Sequence, residues 1–349
     1  MLGAFFAALG AFTFALNNAT LRRGVLTGTV MQAMAVTVPV GSAGFLVLAA
    51  VAGTIPALLT FPPIAAAWMA GQGIVHFVIG RFFNYRANQL VGVNLSAPVV
   101  QLQVVVAMLL AVLTMHEPFT ALQSIGAILM LAGSFATQTQ SSKGSAAKAA
   151  TRANPSPAMQ VAPAPSCHEI DRKLAFAPRY FAGYLFSSCA AIAYGISPLM
   201  VRLAFDRAPQ ASVLAGGVIA YAAATLVFSL LLLSPAVRRD ISGLKRENVR
   251  WFLWAAVLVT ASQGFVYASL AVAPLMVVTP ILQLSLIFRV FLSWLINREY
   301  EVLSTGVIVG SIAAIVGSIL VSLNTDFAVT ALALPDAISS ALRFRLAGS

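Results

Sequence analysis

Ten apolar stretches of about 20 residues each leave this chain few ways to fold. They lie near residues 2–21, 28–52, 64–84, 92–115 and 119–137, then 181–201, 212–234, 251–270, 275–297 and 302–323. In hydrocarbon there is no water to pair a backbone N–H or C=O, so each stretch reads as a membrane-spanning helix. The composition agrees: 60% of the residues are hydrophobic and 9% charged, whereas a soluble domain carries roughly a quarter charged residues. A water-soluble fold is excluded. The third and fourth stretches are almost continuous, as are the eighth and ninth, which predicts two tight hairpins. The first stretch has no basic residues before it and Arg22-Arg23 after it. That is the reverse of a cleaved signal peptide, so it is read as retained.

The character changes between residues 138 and 180. From Gln138 to Cys167 the chain is rich in Ser, Ala, Thr, Gln and Pro, and buries too little apolar surface to offset its ordering entropy. A flexible linker, 138–180, is therefore expected between two five-helix halves, 1–137 and 181–324. A tail, 325–349, follows, read as disordered or as a short amphipathic piece on the membrane surface.

The halves repeat one pattern. At a constant offset Phe83 matches Phe265, Tyr85 matches Tyr267, Pro98 matches Pro280, Gln101 matches Gln283 and Glu117 matches Glu299. After a slip of two residues, Gly126 aligns with Gly310 and Gly133-Ser134 with Gly317-Ser318. An odd number of spans per half puts the halves in opposite orientations. The expected fold class is an all-α membrane protein, ten transmembrane helices arranged as two inverted five-helix repeats. Such duplication places a pseudo-symmetric interface at mid-membrane, where transporters hold their substrates.

Ser96-Ala97-Pro98 opens the fourth helix, Glu117 closes it, and glycines space the fifth; Thr279-Pro280, Glu299 and Gly310 repeat the arrangement. On these residues the chain resembles the EamA family of the drug/metabolite transporter superfamily. The resemblance implies a central cavity lined by the first, third and fourth helices of each half. It also implies a permease of small polar metabolites, an exporter of amino acids or related solutes, working by alternating access in the cell membrane. A lipid-linked or lipid-headgroup flippase, or a non-enzymatic membrane subunit, are the alternatives. There are departures. The family's fourth helix usually ends Gly-Glu, where this chain has His116-Glu117 and Arg298-Glu299. The Trp-Gly of the first helix is replaced by Phe14-Ala15 and Tyr194-Gly195.

Polar residues cluster on those helices. Asn94, Pro98 and Gln101 share one face of the fourth helix, and Pro280 and Gln283 repeat it in the ninth. Two readings stand side by side: freed carbonyls and amides offered to a solute, or a kink plus interhelical hydrogen bonds of about 1 kcal/mol each. Gln72, His76 and Tyr85 mark the third helix, Gln263 and Tyr267 the eighth, Asn17 the first and Tyr194 the sixth. The second, fifth and seventh are plainer. A histidine side chain ordinarily titrates near neutrality, so His76 suits either proton coupling or packing. Arg289 falls mid-span, where a cation costs about 3 kcal/mol, so it is expected either to face the cavity and an anionic group, the favoured reading, or to pair with a backbone carbonyl or a tyrosine. Arg81 is expected nearer a helix end, snorkelling.

No catalytic constellation is visible. His76, His116 and His168 are scattered, and no GxSxG, HExxH or phosphate-cradling loop is present. Cys167 and Cys189 form no CxxC pair. No enzyme activity, cofactor or metal is expected. The net charge of +11 sits between apolar runs, as topology signals do, and not in a nucleic-acid-binding patch. Expected partners are a small-molecule substrate and membrane lipids, with the chain a monomer or homodimer. Loops after the odd-numbered helices carry 16 of the 21 basic residues, which places both termini outside the cytoplasm; the family's habit is both inside.

Overall fold

The computed structural model describes residues 2–115, 119–133, 135–136, 178–208, 211–272, 281–297, 305–322, 325–331 and 335–347. Linker residues 138–177, with Cys167 and His168, lie outside the described residues, as do His116, Glu117, Pro280 and Glu299.

Each apolar stretch contains a helix. They are α1 (Leu2–Thr27), α2 (Val30–Val51), α3 (Pro63–Val91), a broken α4 (Val93–Val100 and Gln103–Met115) and α5 (Ala121–Gly133). The second half has α6 (Tyr180–Asp206), α7 (Val213–Leu231), α8 (Arg246–Val272), α9 (Ser285–Asn297) and α10 (Thr305–Ser322). Seven of them, α1–α4 and α6–α8, are long and apolar enough to cross a membrane. Helices α5 and α9 are shorter, and α10 bends by 99° into the helix Thr325–Ala331. Large apolar side chains such as Val47, Leu113, Ile128, Phe181 and Leu226 point outward, as a hydrocarbon-facing surface requires. The protein is a multi-pass integral membrane protein.

Local signals set the boundaries. Thr29 caps α2 with a capping box to Gln32, and Ser212 caps α7 through the Ala215 amide; each satisfies a first-turn N–H that has no helical partner. The hairpin between α3 and α4 is a single residue, Gly92, at φ +85°, a conformation that a Cβ disfavours. Helix α3 carries a π-helical segment, Ile74–Gly80.

The packing is reciprocal between halves. Helix α1 packs on α8 and α9, and α6 correspondingly on α3 and α4. Helix α2 meets α8 as α7 meets α3, while α2 pairs with α7 and α4 with α9. The three pairs of matching helices that touch each run antiparallel. Gly41 lies on Tyr221 and Phe45 on Gly217. Ala97 packs with Leu286 while Gln101 meets Gln283. Gly126 faces Gly317 and Gly133 faces Gly310. In this last crossing the glycines pack α5 on α10 within the bundle.

The described part of the tail is folded, contrary to the disorder or lone surface helix expected. It runs through Thr325–Ala331 and the helix Asp336–Arg343, pinned by an Arg343–Asp326 ion pair at 2.9 Å. Strand β2 (Arg345–Ala347) then pairs antiparallel with β1 (Phe119–Thr120), between α4 and α5.

Candidate functional site

The site begins at two matching helix breaks. Pro98 has no N–H to return to the Asn94 carbonyl, and the first half of α4 ends two residues later at Val100. Gln101 and Leu102 form a turn, closed by Leu102 N–H to Val99 O at 3.1 Å, before the helix resumes at Gln103. In the second half Gln283 and Leu284 form the same turn, closed by Leu284 N–H to Ile281 O at 3.0 Å. The glutamine at each break is buried, and Gln101 Nε2 donates to Gln283 Oε1. Asn94 and Pro98 are buried on the same stretch.

The π segment of α3 carries the next layer. Gln72 Nε2 donates to Ser197 Oγ at 2.9 Å, and His76 Nδ1 lies 2.9 Å from the same hydroxyl. The imidazole sits 4.6 Å from the Tyr194 ring. Gly80 makes room for that tyrosine: a Cβ there would lie 2.7 Å from its ring.

Arg81 is not at a helix end. Helix α3 continues to Val91, and Arg81 is only 3% exposed. Its Nη2 donates to the Tyr221 hydroxyl at 3.1 Å, Nη1 reaches the Thr37 carbonyl at 3.4 Å, and the guanidinium lies 5.1 Å from the Phe77 ring centre. Tyr221 stacks on Phe77 at 3.8 Å and on Phe45 at 4.9 Å. Phe45 meets Tyr267 edge-on. Helices α2 and α7, read from sequence as plainer, thus supply the aromatic floor of the cluster.

The first and ninth helices close it. Arg289, 3% exposed, lies 4.7 Å from the Phe14 ring centre, and its Nε has no hydrogen-bond partner among the described residues. Asn17, on the next turn of α1, is buried with Oδ1 unpaired. Asn18 Oδ1 accepts from Asn88 at 3.1 Å and Asn84 at 3.4 Å, and Ser96 Oγ donates to Asn88 Oδ1 at 2.5 Å. The Tyr85 hydroxyl is buried and unpaired.

The structure therefore joins Gln101 to Gln283, Gln72 and His76 to Ser197 beside Tyr194, and Asn17 to the face of α1 that carries Phe14. Gln263 is half-buried and takes no part in these hydrogen bonds. Sequence reading put Arg81 near a helix end and passed over Tyr221, Phe45, Ser197 and Asn88. One signal was available for the arginine: Phe77, Arg81 and Tyr85 recur every four residues, hence on one helical face. Among the described residues no cluster of His, Cys, Asp or Glu is placed to hold a metal.

The two ends of the bundle differ. Where α1 turns into α2, Thr29 Oγ1 donates to Asp240 Oδ2 at 2.7 Å, and Gln32 Nε2 to the Asp240 carbonyl at 2.7 Å. Thr27 Oγ1 donates to Asn248 Oδ1 at 2.7 Å. At the opposite end the matching segments, 52–62 with 207–208 and 211–212, flank a hollow of about 300 Å³ lined by Thr60, Phe61, Pro62, Ala208 and Ser212.

Residues 1–138 match the family described as the EamA-like transporter family. The match spans α1–α5 and makes that half of the chain similar to membrane transporters of the drug/metabolite transporter superfamily. No curated protein matches the chain. Among solved structures, one titled only "Crystal structure of protein" is 16% identical over 90% of this chain and 95% of that chain, with a TM-score of 0.44.

Proposed function

We propose that the chain is an alternating-access permease for small polar metabolites, an exporter of amino acids or related solutes across the cell membrane. Its ten spans act as two inverted five-helix repeats. The observation that carries the reading is the meeting of Gln101 and Gln283 at matching breaks of α4 and α9. Broken helices at the repeat interface are the usual construction of a mid-membrane substrate site. The antiparallel pairing of α2 with α7, α4 with α9 and α5 with α10 supports the inverted arrangement. The difference between the ends supports alternating access, with one end latched by Asp240 and the matching end hollow. Export and the amino-acid class rest on the family resemblance.

The test is solute counterflow in proteoliposomes made with the wild type, Gln101→Ala and Gln283→Ala. The reading expects both variants to be produced normally and to lose most of their flux. Unimpaired flux in both would remove the glutamines from the site.

One observation favours a second reading, movement of a lipid headgroup. A groove of about 430 Å³ runs along α8, with Arg246 and Arg250 at one end and Leu253, Trp254 and Val257 beyond them. Basic residues above an apolar groove suit a phospholipid, headgroup to the arginines.

A further inference from the structure

We propose that Arg289, buried against the Phe14 ring with its Nε free of any partner among the described residues, binds an oxyanion, a carboxylate or phosphate, on the transported molecule. The inference deepens the permease reading and rests on it.

Charge balance carries the argument. Arg289 and Arg81 are both 3% exposed, and both lie inside apolar helices. The described acidic residues are Asp206, Asp240, Glu247, Asp326 and Asp336, each on a helix end or a short surface helix. None reaches the cluster, so two cations are buried there with no carboxylate among the described residues. A cation buried without a counter-charge costs several kcal/mol. Arg81 recovers part of this from the Tyr221 hydroxyl and the Phe77 face. Arg289 has the Phe14 face, and its Nε remains without an acceptor.

The surroundings suit an anionic solute and not a structural anion pair. Asn17, one turn from Phe14 on α1, is buried with Oδ1 unpaired among the described residues, an acceptor suited to a donor group elsewhere on the solute. A planar guanidinium offers two parallel N–H groups to a carboxylate or phosphate. Arg289 stands on α9 of the second half and Phe14 on α1 of the first, so a rocking motion between the halves would open this contact and release the anion.

The test uses the full-length protein in phosphatidylcholine nanodiscs and reads its melting temperature. Soluble probes are succinate, L-glutamate and inorganic phosphate, against glutamine amide and lysine at equal ionic strength. A second arm replaces part of the phosphatidylcholine with phosphatidylglycerol. At least one oxyanion should raise the melting temperature of the wild type by several degrees, since ligands stabilise the state they bind. Arg289→Gln should abolish that rise, and Arg289→Lys should keep part of it. Without ligand, Arg289→Gln should melt no lower than wild type, because it removes an uncompensated buried charge; this separates binding from folding. A response to soluble anions identifies a solute, and one confined to phosphatidylglycerol identifies a lipid headgroup. No response to any oxyanion, or an equal response in Arg289→Gln, overturns the proposal. Counterflow run alongside keeps the two readings apart: exchange of neutral solutes alone overturns the anion inference and leaves the permease standing. No exchange of any solute removes both.

Discussion

Gln101 and Gln283 stand 182 positions apart, occupy matching places in the two halves, and meet side chain to side chain where each helix breaks. A pair on the axis relating the halves feels both halves move. Such amides have two uses, holding the bundle together and holding a solute, and their energetics separate the two. An interhelical hydrogen bond in a membrane is worth about 1 kcal/mol. Gln101→Ala, Gln283→Ala and the double variant should therefore show a coupling of about 1 kcal/mol in unfolding measurements. Flux should fall much further than that small loss of stability explains. A coupling of several kcal/mol with flux tracking stability would assign the pair to packing alone.

The crossing of α5 and α10 should be intolerant of side chains. A Cβ on Gly126 would lie 2.7 Å from the Gly317 carbonyl oxygen and the Val321 nitrogen, both backbone atoms. One on Gly133 would lie 2.5 Å from the Gly310 carbonyl oxygen. Backbone cannot swing aside as a side chain can. Gly126→Leu should cost about 1–3 kcal/mol, seen as a lower melting temperature in detergent. Gly243→Ala is the control, since its nearest neighbour stands 3.4 Å away, and it should melt as wild type.

Arg22 should matter for stability although it looks like a loop charge. It is fully buried at the end of α1 and donates to the Asn88 and Gln89 carbonyls in the last turn of α3. Removing a charged donor from buried carbonyls costs about 1–3 kcal/mol. Arg22→Ala should lower the melting temperature accordingly, and Arg22→Lys should recover only part, having no fork to span two acceptors. An unchanged melting temperature for Arg22→Ala would show that these bonds contribute little.

The same arginine shows where the sequence was legible and where it was not. The apolar runs gave the positions of the helices, and the repeated Pro-x-x-Gln marked the breaks in α4 and α9. Hydropathy then stopped α1 near residue 21 and α3 near residue 84, whereas the helices run to Thr27 and Val91. The polar residues that ended those runs are paired with one another across the interface: Asn84 and Asn88 with Asn18, Gln89 with the Val25 and Gly28 carbonyls, Arg22 with Asn88. Paired polar groups are tolerated inside a bundle, but a scale that scores residues singly cannot see the pairing. That shortening is also why Arg81 read as a helix end. Tyr221 and Phe45 escaped notice for the opposite reason: aromatic residues in an apolar run look like core, and only the fold brings Tyr221 against Arg81.

Asp240 should act as a latch. Its carboxylate accepts from Thr29 and its carbonyl from Gln32, tying the α1–α2 turn to the short helix Pro235–Ser242. Asp240→Ala removes the carboxylate contact and leaves the Thr29 cap on Gln32 intact. Amide exchange should quicken in residues 28–33 and 238–248 and stay unchanged in residues 52–62 at the opposite end. Equal quickening at both ends would indicate general loosening and no latch.

The most direct test of the account compares metabolite levels outside and inside cells that overproduce, lack or carry the Gln101→Ala form of this protein. The account predicts a polar solute that accumulates outside on overproduction and inside on deletion, with Gln101→Ala behaving as the deletion. No solute whose distribution changes, or a change that Gln101→Ala leaves intact, would contradict it.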